Sequence, residues 1–291
     1  IGAVPWSLLA RRRAVESVGL LASAAAMFPA AAPGTVDASR AAPRPRRLAL
    51  VGDPVFGLDD PRLEAQQPGT SAAATGTPAA TREARGRALS EPEPRALARL
   101  PGTARVLAAL AALAALAGAE VVLQATGLEA TREAVQSLPR SGVDVLHLAT
   151  HAVIDPEVPE LAALVLSRVD ARGQPRAGSL RARDVLRMPV VPPLVVLSAC
   201  DAATEPAGAS EGRMNLVRAF LAAGAREVVA SLWEVPDAST VELMSAFYDG
   251  LLREGLDAET ALARAQSRLA AAGRWRAPFY WAGFVVTRDA P

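Results

Sequence analysis

The chain contains no lysine: its 31 basic residues are all arginine, and 30 acidic residues bring the net charge to +1. No field of one sign builds up, so neither direct nucleic-acid binding nor attachment to a membrane surface is expected. One cysteine, Cys200, in 291 residues excludes an internal disulfide framework and suits a reducing, cytoplasmic compartment. No apolar stretch reaches the ~18 residues of a membrane span without Pro, Gly or charge. Gly-x-Ser-x-Gly, the glycine fingerprint for dinucleotides and the P-loop are all missing, so no cofactor is expected. Histidine is confined to His147 and His151. With Cys200 they make too sparse a set at strand spacing for zinc, and no metal is expected. Repeats of the ~30–45-residue kind are missing as well.

What remains is a half-apolar chain, able to build a sizeable core. Residues 1–46 read as a leading segment of the same domain or a linker to an upstream region. The first residue is Ile, which suggests a piece of a longer protein. Arg11-Arg12-Arg13 followed by apolar Val18 to Ala32 has the outline of a secretion signal, but Glu16 and the missing start Met favour an ordinary domain segment. Residues 47–291 read as one domain. A first core strand over 47–52 is closed by Asp53-Pro54, and a flexible loop is expected at about 59–94. Thr103 caps a predicted helix over 104–117. A strand over 120–124 and a helix near 129–138 follow, then strands over 143–151, 161–167 and 193–200, with a short helix near 180–187. A helix over about 211–223, a strand over 227–232, helices to about 253 and over 257–272, and a last strand at 284–286 complete the series. Ser239 and Glu242 have capping-box spacing. Alternating strands and helices predict a mostly parallel sheet covered on both faces.

Two of these strands end in reactive side chains. Val143 to His151 ends in histidine and Pro193 to Cys200 in cysteine. Side by side, they would present a base and a thiol at the carboxyl edge of the sheet, where open α/β sheets bind ligands. That is the chemistry of a cysteine hydrolase, although a lone free cysteine is also a common core residue. By parity His147 shares a strand face with His151, but it lies inside the strand and reads as a core histidine or one that orients the site. Ser198 is assigned to the face opposite Cys200. Asp201 would favour a basic residue in a substrate pocket or serve as a solvated loop carboxylate.

The order of motifs resembles a known family. Asp144 to His151 resembles the histidine motif of CHAT domains, caspase-like proteases of the caspase/separase clan, and Leu197-Ser198-Ala199-Cys200 resembles their cysteine motif. Glu211-Gly212, Ala219 to Ala225, Val229 to Val235 and Asp237 resemble the block after the cysteine, and Pro278 to Phe284 the carboxyl-terminal block. Val51-Gly52-Asp53-Pro54, Leu100-Pro101-Gly102-Thr103 and, earlier, Val4 to Leu9 resemble the amino-terminal half.

The resemblance implies a caspase-like, mostly parallel α/β sheet of about six strands sandwiched between helices. It implies a cysteine endopeptidase in which Cys200 attacks a peptide carbonyl and His151 serves as general acid and base. Backbone N–H groups near Ala152 and Cys200 would hold the oxyanion, and Glu211, Trp233 and Asp237 would shape the cleft. The implied partners are a protein substrate and an upstream sensor or repeat region, in the setting of bacterial defence or signalling. The alternative is a pseudo-protease acting as a protein-interaction domain. Two departures bear on that choice: Ala152 stands where the family has Gly, and Ala202-Ala203 replace its Thr-Gly.

Overall fold

In a computed structural model of the chain, the structure describes residues 44–64, 97–139, 142–153, 161–198 and 209–288, the side chains of 64 and 209–215 excepted. The chain runs β1 (Arg47–Pro54), α1 (Pro61–Glu64), α2 (Pro101–Leu116), β2 (Glu120–Gly127), α3 (Arg132–Gln136), β3 (Val145–Ala149), β4 (His151–Val153), β5 (Ala163–Val165), β6 (Ser179–Arg181), α4 (Ala182–Val185), β7 (Leu194–Leu197), α5 (Ala209–Ala222), β8 (Glu227–Ser231), α6 (Asp237–Asp249), α7 (Ala258–Ala271) and β9 (Phe284–Arg288). Six strands form one sheet in the order β2-β1-β3-β7-β8-β9. Only the β8–β9 pairing is antiparallel. The expected mostly parallel sheet between helices is therefore present. Strands β4, β5 and β6 form a separate antiparallel sheet.

Side-chain alternation explains the layers. Ala49, Val51, Leu146, Leu148, Val195, Leu197, Val228 and Ala230 face one core with α3, α4, α5 and the small sheet. Leu48, Leu50, Val145, Ala149, Leu194, Val196 and Val229 face the other, with α2, α6 and α7. Both faces of the central strands are covered, which is why they read as unbroken apolar runs rather than alternating ones.

The strand order locates the crevice. From β1 the chain moves to one side, through α2. From β2 onward it moves to the other side, with α3, α4 and α5 on the opposite face. A constant crossover hand requires that exchange of faces. The connections leaving β1 and β3 diverge, so the crevice lies beyond their carboxyl ends.

Several elements differ from expectation. The strand expected over 143–151 breaks at Thr150: β3 stays in the large sheet and β4 starts the small one. Thr103 lies inside α2 rather than capping it, and its hydroxyl donates to Leu100 O at 2.7 Å. Helix α6 has no Ser239–Glu242 capping box; Ser239 N and Oγ both donate to Pro236 O, at 3.0 and 2.9 Å. It passes into a π-helical turn, Gly250–Glu254. The loop expected from about 59 starts with an ordered turn, because Arg62 of α1 bonds back to Asp53, Pro54 and Asp60. The rest of 59–94, and the pieces read within 1–43, lie outside the described residues.

Phe220 on α5 is fully buried in the first core. Phe220→Ala should lower unfolding free energy by ~3–5 kcal/mol in urea titrations. A loss below ~1 kcal/mol would mean that this layer is not packed as described.

Candidate functional site

At the carboxyl edge, four segments converge around His151. The small cleft there is lined by Leu100, Thr103 and Val106 from the start of α2, Thr150 and His151 from the β3–β4 junction, Ser198 just after β7, and Glu234, Val235, Asp237 and Thr240 from the β8–α6 turn. His151 is 4% exposed. Its ring packs against Phe56, centroids 5.1 Å apart, just beyond β1. Its Nε2 lies 2.8 Å from the carbonyl oxygen of Ala98. A carbonyl only accepts, so Nε2 carries a hydrogen, and in the neutral ring Nδ1 is the nitrogen able to take a proton.

The scaffold of this corner is polar and specific. Asp53, at the end of β1, has φ of 47°, the only positive value at a non-glycine among the described residues. Asp tolerates this region because its short polar side chain bonds locally. Its carboxylate accepts both Nε and Nη2 of Arg99, at 3.0 and 2.9 Å, and Nη1 of Arg62 at 2.9 Å. Its own N–H donates to Thr103 Oγ1 at 3.1 Å. Asp60 sits below the usual carboxylate range, chiefly because the Arg62 guanidinium donates to it. Across the cleft, Asp237 Oδ2 accepts from Gly102 N at 2.9 Å. A Cβ at position 102 would collide with that carboxylate, so the residue there has to be glycine for the two helix starts to meet.

The candidate residues read from sequence fall into three groups. His151 and Asp237 come together in the cleft. Ala152 sits in β4 opposite Leu164 and is buried; its φ is not positive, so alanine is unstrained where the family has glycine. Trp233 lies in the turn after β8 but does not line the cleft. Its Nε1 donates to Phe279 O at 2.9 Å and its ring closes over Gly283, holding the carboxyl-terminal turn in place. Cys200 and Asp201 lie outside the described residues, as does the side chain of Glu211.

Ser198 lines the same cleft as His151, while position 200, against which its face was read, lies outside the described residues. One reading needs correction. His147 does not share a strand face with His151, because Thr150 turns the chain and bonds Val165 O on β5. His147 instead points into the α2–α6 layer. It is fully buried, with Nδ1 3.0 Å from Tyr248 Oη. Its Nε2 has no partner among the described residues. Burial alone pulls its pKa down to about 3, and it pushes the Tyr248 hydroxyl upward.

Sequence reasoning missed Phe56, Ala98 and Arg99. It quoted Thr150, Glu234, Asp53, Gly102 and Thr103 without giving them a role in the cleft. The last three lie in the upstream segments that resemble the family, so the signal was there; the Ala98 contact is made by a main-chain atom and leaves no mark in a sequence.

Comparison with known proteins gives a family and a few relatives. A model of the CHAT domain matches residues 1–289. Human tetratricopeptide repeat protein 28 is 40% identical over 107 residues, 37% of this chain. Its mouse counterpart is 39% identical over 107 residues, again 37% of this chain. The matched stretch spans 4% of the length of each of these curated relatives. Among solved structures, the Arg specific cysteine proteinase gingipain R aligns with a TM-score of 0.45 and 10% identity, over 84% of this chain and 46% of that one.

The buried histidine gives a pH dependence with a definite sign. A free imidazole titrates near ~6.5, whereas His147 in the fold titrates at about 3. Between these values the unfolded chain binds a proton that the native state rejects, so stability falls as pH falls, by up to ~1.4 kcal/mol per pH unit. Urea titrations between about pH 6.5 and 4.5 should show a shallower decline for His147→Gln than for the parent. Equal slopes would show that His147 is not held neutral.

Proposed function

We propose, from the premise that this chain belongs to the CHAT domain family, that it is a cysteine endopeptidase module working through His151 and Cys200. The observation that carries the reading is the posture of His151. Its Nε2–H is spent on a main-chain carbonyl, and its other nitrogen is a base at the carboxyl edge of the sheet. Strand β7 runs parallel to β3 with Leu197 beside Leu148. Ser198 N then donates to Leu148 O at 2.9 Å, and its residue lines the cleft. Cys200 follows two residues later, a reach of at most ~7 Å.

In this mechanism Nδ1 of His151 takes the thiol proton and the Cys200 thiolate attacks the scissile carbonyl. The backbone N–H groups at Cys200 and Ala152 would hold the oxyanion. His151 returns the proton to the leaving amine, giving an acyl-enzyme, and then activates the water that releases it. Asp237 braces the cleft through Gly102 and takes no part in proton transfer. Asp201 and Glu211 belong to the loop and helix start that follow the nucleophile, and Trp233 secures the turn behind the cleft. The substrate is a protein. The tetratricopeptide repeat relatives support a place within a larger, repeat-bearing protein. In this reading its upstream part senses a signal and the module is a regulated protease of bacterial defence or signalling. Among the described residues no helix is long and apolar enough to cross a membrane.

A thiol-directed peptide electrophile should label Cys200 in the parent, and labelling should fall by ~10²-fold or more in His151→Ala. Cys200→Ala should leave the melting temperature unchanged and abolish substrate cleavage. If the parent and Cys200→Ala proteins cleave equally little once the upstream region is engaged, the domain is a pseudo-protease that binds partners.

A further inference from the structure

We infer that Asp53 and Arg99 are positioning residues: their two-pronged ion pair holds the Ala98 carbonyl against His151 and so selects the tautomer that leaves Nδ1 basic. The inference rests on His151 being the base proposed above, but its main readout does not require peptidase activity.

The geometry gives a short mechanical chain. The Ala98 carbonyl belongs to the peptide plane that ends at the Arg99 nitrogen. Ala98 and Arg99 are both exposed, and the Arg99 side chain is 40% exposed. A surface segment of that kind would not fix a carbonyl by packing. Among the described residues, the hydrogen bonds of this pair go to His151 and Asp53 alone. Arg99 presents two parallel donors to one carboxylate, the arrangement that adds direction to attraction. On the far side, Asp53 N donates to Thr103 Oγ1, whose hydroxyl donates to Leu100 O. Residues 98–103 are thus docked on Asp53 through both its side chain and its main chain. Asp53 is itself buried and turned into the left-handed region at the end of a core strand, so its carboxylate points from a rigid base.

A bare imidazole exchanges its hydrogen between the two nitrogens, and only the Nε2–H form leaves Nδ1 able to accept a proton. Holding a carbonyl 2.8 Å from Nε2 favours that form before substrate arrives. Releasing the carbonyl leaves a mixture, and the ring loses the contact that sets its plane. A misplacement on the order of 1 Å can cost ~10²-fold in rate.

The test is 15N NMR of the imidazoles in protein at a pH where His151 is neutral. The chain has two histidines, and the His151 signal is the one missing from His151→Gln. The parent should show a single Nε2–H tautomer. Arg99→Ala, chosen because its side chain is partly exposed, should show a mixture at an unchanged melting temperature. Its kcat should fall by ~10–10²-fold with little change in KM, and added guanidinium ion should restore both the tautomer and the rate. Asp53→Asn, which removes the charge that Arg99 grips, should resist that rescue. A single unchanged tautomer in Arg99→Ala would overturn the inference even if Cys200 proves to be the nucleophile. A tautomer mixture in a protein that cleaves nothing would uphold it while the peptidase reading fails.

Discussion

One carboxylate at the end of the first strand organises the working edge of this molecule. Asp53 gathers Arg62 from α1, Arg99 from the approach to α2, and the Thr103 hydroxyl inside α2. Two guanidinium groups around a largely desolvated carboxylate are favourable only when the geometry is good, and here three donors at 2.9–3.0 Å meet it. The anchor fixes where α2 begins. That in turn sets Gly102 under Asp237 and the Ala98 carbonyl beside His151. The cleft depends on this docking because the segment leading into α2 is a wall outside the hydrogen-bond ladder that joins β3, β7 and β8 behind the others.

The opposite strategy operates one layer deeper. His147 and Tyr248 are polar groups sealed between the sheet and α6, with a single hydrogen bond between them and one ring nitrogen without a partner among the described residues. An unmet buried polar site costs ~1–3 kcal/mol. Among the described residues no hydrogen bond links this pair to the cleft, and its effect is on stability and on the lower pH limit of the fold. The two histidines of the chain therefore occupy opposed environments four residues apart: one shut in the core, one at the mouth of a crevice.

Most of the fold was legible because burial on both faces imprints long apolar runs. Strands β1, β3, β7 and β8 each appear as such a run, and the helices between them carry their own spacing. The break at Thr150 was not legible. A continuous apolar stretch gives no sign of where a chain leaves one sheet for another, so the parity drawn through His147 and His151 failed. Helix starts were misread for a related reason. Thr103 and Ser239 are good capping residues in isolation, yet the start of α2 is served by the distant Asp237 carboxylate and that of α6 by the carbonyl of Pro236 just before it. For the cleft, sequence identified the histidine and its Asp237 neighbour. The carbonyl that orients the ring was hidden, because every residue has one.

The division at Thr150 has a mechanical meaning. His151 opens β4 and so belongs to the small antiparallel sheet, while Ser198 directly follows a strand of the large one. Thr150 joins the two bodies and is pinned to β5 through its hydroxyl. The small sheet shares one hydrophobic layer with the central strands, α3, α4 and α5, so load applied to the β4–β6 hairpins would reach the imidazole and that layer together. The position of His151 is thus coupled to the packing of the small sheet rather than to the large sheet alone.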